Sequence, residues 1–216
     1  MKKVFINGAE GKMGKAVARI IETRPELGLC VAVKRENGQA VLGDFDVVID
    51  FSSPQGAQEA FAMARKHRRP FLTGTTNLSE MFLFQMQEEE KIPVFYAPNV
   101  SLSVYFFTEL VRQAARMYPG YDFKLHEIHH VHKKDAPSGT AKKLADAMNL
   151  PYPQVTYERT GEVVGTHTAA FASPFDEITL THEAKNRDLF ADSAVHIALW
   201  LMKRESGCYT MSDYAK

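Results

Sequence analysis

Val4-Phe5-Ile6-Asn7-Gly8-Ala9-Glu10-Gly11-Lys12-Met13-Gly14-Lys15-Ala16-Val17 is the stretch from which the fold can be read. A short apolar run meets three glycines spaced three apart, and apolar residues then recur at Val17, Ala18, Ile20 and Ile21. That pattern predicts a strand, a tight turn and an amphipathic helix. The spacing keeps the second and third glycines of the dinucleotide fingerprint and moves the first one residue earlier. One glycine lets the backbone approach a pyrophosphate and another lets the helix pack on the strand, while the helix N-terminus offers unpaired N–H groups to an anion. Many glycine turns bind nothing, but this one follows the first strand and opens a helix, which is the context the motif requires.

Working outward, Pro25-Glu26-Leu27-Gly28 ends that helix, and Leu29 to Val33 reads as a second strand, closing a βαβ unit. Val47 to Phe51 predicts a third strand, 55–67 a helix, Pro70 to Gly74 a fourth strand and Pro93 to Ala97 a fifth. Continuous apolar strands alternating with helices mean a parallel sheet covered on both faces. Past Pro98-Asn99 the character changes. A helix over 101–117 precedes an alternating strand from Phe123 to His130 and a helix from Ser138 to about Met148; strands follow near 154–158, 163–171 and 176–183. The run 191–202 is apolar nearly all round and predicts a buried helix. The expected class is therefore α/β: a Rossmann-type parallel-sheet dinucleotide-binding domain over 1–100, completed by a C-terminal helix over 188–216. An α+β substrate-binding and oligomerisation domain with an open mixed sheet fills 101–187.

The chain has 216 residues, and its 26 Lys and Arg balance 26 Asp and Glu, so no basic surplus points to nucleic acid. No stretch approaches 18 apolar residues, so no membrane span is expected. Two distant cysteines, Cys30 and Cys208, suggest neither a disulfide framework nor a thiolate metal site. The apolar run after Met1 is too short for a signal-peptide core, and a cytoplasmic protein is expected.

The second strand continues into Lys34-Arg35-Glu36. Arg at that place accommodates a 2′-phosphate and an acidic side chain takes a 2′-hydroxyl. Two cations predict that NADPH binds at least as well as NADH, although Lys34 and Arg35 as solvated charges, or Glu36 on the hydroxyl, remain open.

Four of the eight histidines, His126, His129, His130 and His132, fall within seven residues. In an extended strand Glu127, His129 and Val131 share one face, which Lys133 would join, while His126, His130 and His132 share the other. An imidazole that exchanges a proton near neutrality and an ammonium beside it suit an enzyme acting on a small anion. Ser138 is a good helix N-cap, and Gly139 and Thr140 would offer N–H groups to a carboxylate. Between 124 and 143 stand five lysines, with only Glu127 and Asp135 as anions, so the neutral total conceals a positive patch. The histidines form no helical H-E-x-x-H pair and lie on both strand faces, so no metal is expected; His126 and His132 are expected to carry no chemistry.

Glu127-Ile128-His129-His130-Val131-His132-Lys133-Lys134-Asp135-Ala136-Pro137-Ser138-Gly139-Thr140 resembles a signature of the dihydrodipicolinate (4-hydroxy-tetrahydrodipicolinate) reductases. Similar stretches are Gly8 to Gly14, Asp50-Phe51-Ser52, Gly74-Thr75-Thr76, Ala97 to Ser101, Gly165 to Thr168 and Thr181 to Ala184. The resemblance implies an NADPH- or NADH-dependent reductase of lysine and diaminopimelate biosynthesis, acting on a small cyclic dicarboxylate and forming a homotetramer. It implies that Gly8, Ala9, Glu10, Gly11, Lys12 and Met13 cradle the pyrophosphate, with Lys34 and Arg35 at the adenosine ribose. Gly74, Thr75, Thr76, Ala97, Pro98, Asn99 and Val100 would line the nicotinamide side. His129 would donate the proton with help from Lys133, and His130, Gly139 and Thr140 would hold the dicarboxylate. Val131 stands where the family commonly has an arginine, and Lys34 where it commonly has an acid. An aspartate- or homoserine-type dehydrogenase and a non-catalytic redox sensor are the rival readings; the sensor would tolerate loss of His129.

Overall fold

A computed structural model describes residues 1–30, 34–36, 39–41 and 44–216, with the side chains of 30–43 outside the description. The chain begins with β1 (Lys2–Asn7), α1 (Lys12–Glu22) and β2 (Leu27–Cys30), the strand, turn and helix that the glycine spacing predicts. A small antiparallel hairpin follows, β3 (Lys34–Glu36) with β4 (Gln39–Val41). Then come β5 (Val47–Asp50), α2 (Pro54–His67), β6 (Phe71–Thr73), α3 (Glu80–Gln87) and β7 (Pro93–Tyr96). Proline at the first position of α2 and the Ser53 hydroxyl accepting from Gly56 N–H at 3.1 Å start that helix.

Next in the chain are α4 (Leu102–Met117), β8 (Asp122–His129), α5 (Gly139–Met148), β9 (Thr156–Arg159), β10 (Gly165–Ala172) and β11 (Glu177–Ala184). α6 (Asp188–Leu201), β12 (Gly207–Tyr209) and α7 (Met211–Tyr214) complete it. The segment expected as one helix over 188–216 is thus a helix, a strand and a short helix. The polar run Lys203-Arg204-Glu205-Ser206 and Gly207, at φ +140°, break it.

Two compact units result. Residues Met1–Ser101 and Phe190–Lys216 form the first, and Leu102–Leu189 the second. In the first, β12-β7-β6-β5-β1-β2 are all parallel neighbours in one six-stranded sheet. Its core holds Phe5, Val48, Phe61, Phe71, Phe82, Met86 and Val94; full burial of each such side chain stabilises the fold by about 1.5–3 kcal/mol. In the second unit the order β11-β10-β8-β9 mixes antiparallel pairs with the parallel pair β8–β9. Phe107, Val111, Leu125, Leu144, Met148 and Phe171 are buried there. These are the parallel-sheet domain and the open mixed sheet that the sequence predicts. No helix among the described residues is long and apolar enough to cross a membrane.

Candidate active site

In the first unit the chain crosses from β1 to β2 on one side and later places β5 on the other side of β1. Ligands of open parallel sheets bind at such a reversal, outside the carboxyl ends of the strands. The glycine turn lies there. Gly8 has φ +82°, and a Cβ on it would strike the Phe51 carbonyl; a Cβ on Gly14 would strike the carbonyl of Gly8. Gly11 donates to Gly8 O at 3.0 Å and stands as the N-cap of α1, with no side chain to satisfy the first-turn N–H groups. A turn so close to backbone, opening a helix that no side chain caps, fits a phosphate anion. Ala9 and Met13 are half-buried, whereas Glu10 and Lys12 are exposed.

Gly74-Thr75-Thr76 follows β6 and Ala97-Pro98-Asn99-Val100 follows β7, both on the β5 side of the reversal. Thr75, Ala97 and Val100 are buried, Thr76 and Pro98 exposed. A side chain at Gly74 would run into the Phe51 ring. The backbone of Lys34 and Arg35 lies in β3, and their side chains are outside the described residues.

A network unsuspected from the sequence ties these loops together. Fully buried Asp50 accepts from Asn7 Nδ2 at 2.7 Å and from the Ser52 hydroxyl through Oδ1, and from Thr73 and Thr75 Oγ1 through Oδ2, both at 2.7 Å.

In the second unit β8 alternates as expected, so Glu127 and His129 point inward, with 0% and 7% of their surface exposed. The strand stops at His129. A turn follows and leaves Val131 exposed, so Lys133 returns through the turn rather than along the His129 face; its N–H donates to His130 O at 3.1 Å. Lys133 Nζ meets Asp135 Oδ1 at 2.7 Å and holds that carboxyl below its ordinary range.

Register brings two further groups to the cluster: His167 on β10 lies opposite Glu127, and Arg159 on β9 opposite His129. Glu127 Oε1 accepts from Arg159 Nη2 at 2.9 Å and Ser138 N–H at 3.0 Å. Its Oε2 lies 3.4 Å from His129 Nδ1 and 3.6 Å from His167 Nε2. Burial alone would raise the Glu127 carboxyl, but His167 nearby and the hydrogen bonds from Ser138 and Arg159 hold it far below the usual carboxylate range. Burial also pushes His129 down to about 4; Glu127 pulls it up, and His167, Lys133 and Arg159 oppose that pull. At neutral pH the imidazole is therefore uncharged, where the sequence suggested exchange near neutrality. The reason is burial, which the carboxylate beside it offsets only in part.

Glu127, His129 and His167 bring ligand atoms within 4.8 Å of one another, the spacing of a metal site. Arg159 already places a cation on the same carboxylate, which opposes a second one. Ser138 joins the cluster to α5: its N–H reaches Glu127 while its hydroxyl caps the helix, accepting from Ala141 N–H at 3.1 Å. Gly139 and Thr140 form the first turn, the glycine exposed and the threonine half-buried. His130 is half-buried, its ring 6.2 Å from that of His132. His126 pairs with Thr156 Oγ1 at 2.8 Å, and exposed His132 lies 3.9 Å from Glu162. Arg159 and His167 were missed from sequence; His167 falls inside the similar stretch Gly165 to Thr168, the one signal that pointed to it.

Two family models match the chain: "Dihydrodipicolinate reductase, N-terminus" over residues 2–100 and "Dihydrodipicolinate reductase, C-terminus" over 103–214. A 4-hydroxy-tetrahydrodipicolinate reductase of Campylobacter jejuni is 36% identical, with 99% of each chain covered. One from Xanthomonas euvesicatoria is 38% identical, covering 98% of this chain and 96% of the relative. A solved dipicolinate-bound dihydrodipicolinate reductase from Paenisporosarcina superposes with a TM-score of 0.79 over 97% of both chains, at 19% identity.

Proposed function

The chain belongs to the dihydrodipicolinate reductase family, and from that premise we propose how its residues divide the work of a 4-hydroxy-tetrahydrodipicolinate reductase. The protein is a pyridine-nucleotide-dependent oxidoreductase of lysine and diaminopimelate biosynthesis. Gly8, Ala9, Glu10, Gly11, Lys12 and Met13 hold the pyrophosphate at the start of α1, and Gly74 to Thr76 with Ala97 to Val100 line the nicotinamide side. Bound there, the nicotinamide supplies a hydride.

The second unit supplies the proton and holds the cyclic dicarboxylate. Lys133, His130 and the first turn of α5 at Gly139 and Thr140 meet its carboxylates. A dianion arriving beside the neutral His129 ring raises the proton affinity of that ring, so the acid is charged when substrate is present. Glu127 lies against Nδ1, which favours a proton on that nitrogen and leaves Nε2 to face Gly165, where a Cβ would come within 3.0 Å. Loss of water from the hydroxylated ring creates the conjugated acceptor, and hydride transfer to it with delivery of a proton gives tetrahydrodipicolinate. The observation that carries this reading is His129 buried against Glu127, beside a lysine and a capped helix start.

Lys34 and Arg35 support NADPH binding at least as tight as NADH binding. Replacing both with Ala weakens NADPH much more than NADH, and equal weakening refutes the assignment. Cytoplasmic location and a homotetramer complete the reading; sedimentation tests the latter. The activity itself is read by mixing the protein with NADPH and the fresh condensation product of pyruvate and aspartate semialdehyde. Absorbance loss with wild type, and its absence in the His129→Ala, Lys133→Ala double variant, are the expected results; an undiminished variant overturns the mechanism.

A further inference from the structure

Asp50 ends β5 with none of its surface exposed, and among the described residues no cation pairs with it. A buried carboxylate of that kind is costly unless its surroundings are built for it. Here they are, with donors on both oxygens. Thr73 Oγ1 accepts from Thr75 N–H at 3.1 Å, Thr75 Oγ1 accepts from Ser52 N–H at 2.9 Å, and Ser52 Oγ accepts from Asn7 Nδ2 at 2.9 Å. The two threonine hydroxyls thus accept from an N–H and turn their hydrogens toward Asp50, while the Ser52 hydroxyl has Asp50 close by and the Ser53 carbonyl at 3.3 Å as a second acceptor. Asn7 adds an amide hydrogen at 2.7 Å. Four donors converge on the two oxygens, matching the acceptor-only inventory of a carboxylate.

Its place matters as much as its charge. The network joins the ends of β1, β5 and β6 and, through Asn7 Nδ2 to Gly56 O at 3.0 Å, the start of α2. The glycine turn begins one residue after Asn7, and Gly74 one residue after Thr73. With the pyrophosphate at the β1–β5 reversal and Lys34 and Arg35 toward the adenosine, the β5 and β6 ends belong to the nicotinamide half.

We infer that Asp50 is a positioning residue of the cofactor site, and that its charge favours the oxidised, cationic nicotinamide over the reduced, neutral one. The inference rests on the cofactor-binding half of the proposed function. Hydride transfer breaks one carbon–hydrogen bond of the reduced ring, carries the hydrogen with both electrons to the acceptor carbon, and leaves one positive charge on the ring. A fixed anion in the same unit stabilises that charge as it develops.

The test is a pair of titrations, NADP+ and NADPH, against the full chain, by calorimetry and without substrate. Asp50→Asn keeps the size and removes the charge; the ratio of the NADP+ to the NADPH dissociation constant should rise about tenfold, equivalent to about 1.4 kcal/mol. Asn7→Ala removes one donor and keeps the charge, so it should weaken both forms without raising the ratio. Equal weakening of both forms by Asp50→Asn would make the carboxylate merely structural and overturn the inference. Should Asp50→Asn not fold, Thr73→Val takes one donor off the carboxylate and should lower the ratio, and no change overturns the inference. If wild type binds neither nucleotide, the proposed function falls and this inference with it; binding with an unmoved ratio removes only the inference.

Discussion

Asp50 and Glu127 are both fully buried, one in each unit, and their surroundings are opposites. Asp50 is held by an amide and three hydroxyls, the two threonine hydroxyls each oriented by a backbone N–H. Glu127 is held by a guanidinium, a backbone N–H and two imidazoles that stand a little beyond hydrogen-bond reach. The first is a fixed charge in a closed neutral shell. The second is shared with a permanent cation, and its other oxygen faces the His129 ring, whose affinity for a proton depends on what else is near. The same buried carboxylate chemistry thus serves a static role beside the glycine turn and a proton-labile role in the open sheet.

Several substitutions break or sharpen this contrast, and the largest effect falls on the labile side. His129→Gln should lower kcat by about 10²–10⁴-fold, the range of a lost general acid, with the binding of NADPH alone unchanged; a stopped-flow trace at saturating nucleotide checks it. Glu127→Gln leaves the half-buried Arg159 guanidinium without its carboxylate, and a loss of up to about 3 kcal/mol is expected in urea unfolding. Asp50→Asn strands no cation, so its cost should be smaller, that of donors left unmatched. Were Asp50→Asn to cost more than Glu127→Gln, the two shells would not differ as described.

The pH dependence of stability separates the units further. His129 at about 4 lies below its ordinary 6.5, so between those values the unfolded chain binds more protons than the folded one. Stability therefore falls on acidification through that window, by at most about 1.4 kcal/mol per pH unit from this group. His182, also lowered by burial and by His167, acts in the same direction. Glu127, held far below 4.5, adds its own loss only at more acid pH. Urea midpoints at pH 7 and 5.5 should show the decline, and a shallower one in His129→Gln. The smallest effect is expected at His132, exposed and outside the buried cluster, where replacement by Ala should change stability by less than about 0.5 kcal/mol and leave kcat intact.

Much of this molecule was legible in its sequence, for physical reasons that also mark where legibility ends. The glycine turn and apolar strands revealed the parallel sheet, because helix and strand periods are local. The alternation from Leu125 to His129 placed Glu127 and His129 on one face. Arg159 and His167 reach them only through the register of β9 and β10 on β8, a long-range property that no single strand encodes. For the same reason Asp50, Ser52 and Thr75 stood in separate similar stretches and Asn7 and Thr73 in none, and their convergence was not seen. β12 escaped because three residues, the first a glycine, carry too little periodicity; it exists because β7 offers it an edge.

That last strand has a consequence for how the protein is made. The second unit is contiguous, whereas the first is not finished until α6 and β12 arrive, more than a hundred residues after β7. On a ribosome adding about 5–20 residues per second, the nascent sheet waits many seconds with the β7 edge bare and Phe95 lacking the Trp200 ring that meets it at 6.1 Å. The insert, self-contained, can reach its native state during that interval, so synthesis of this chain favours the later-encoded unit as the earlier to mature.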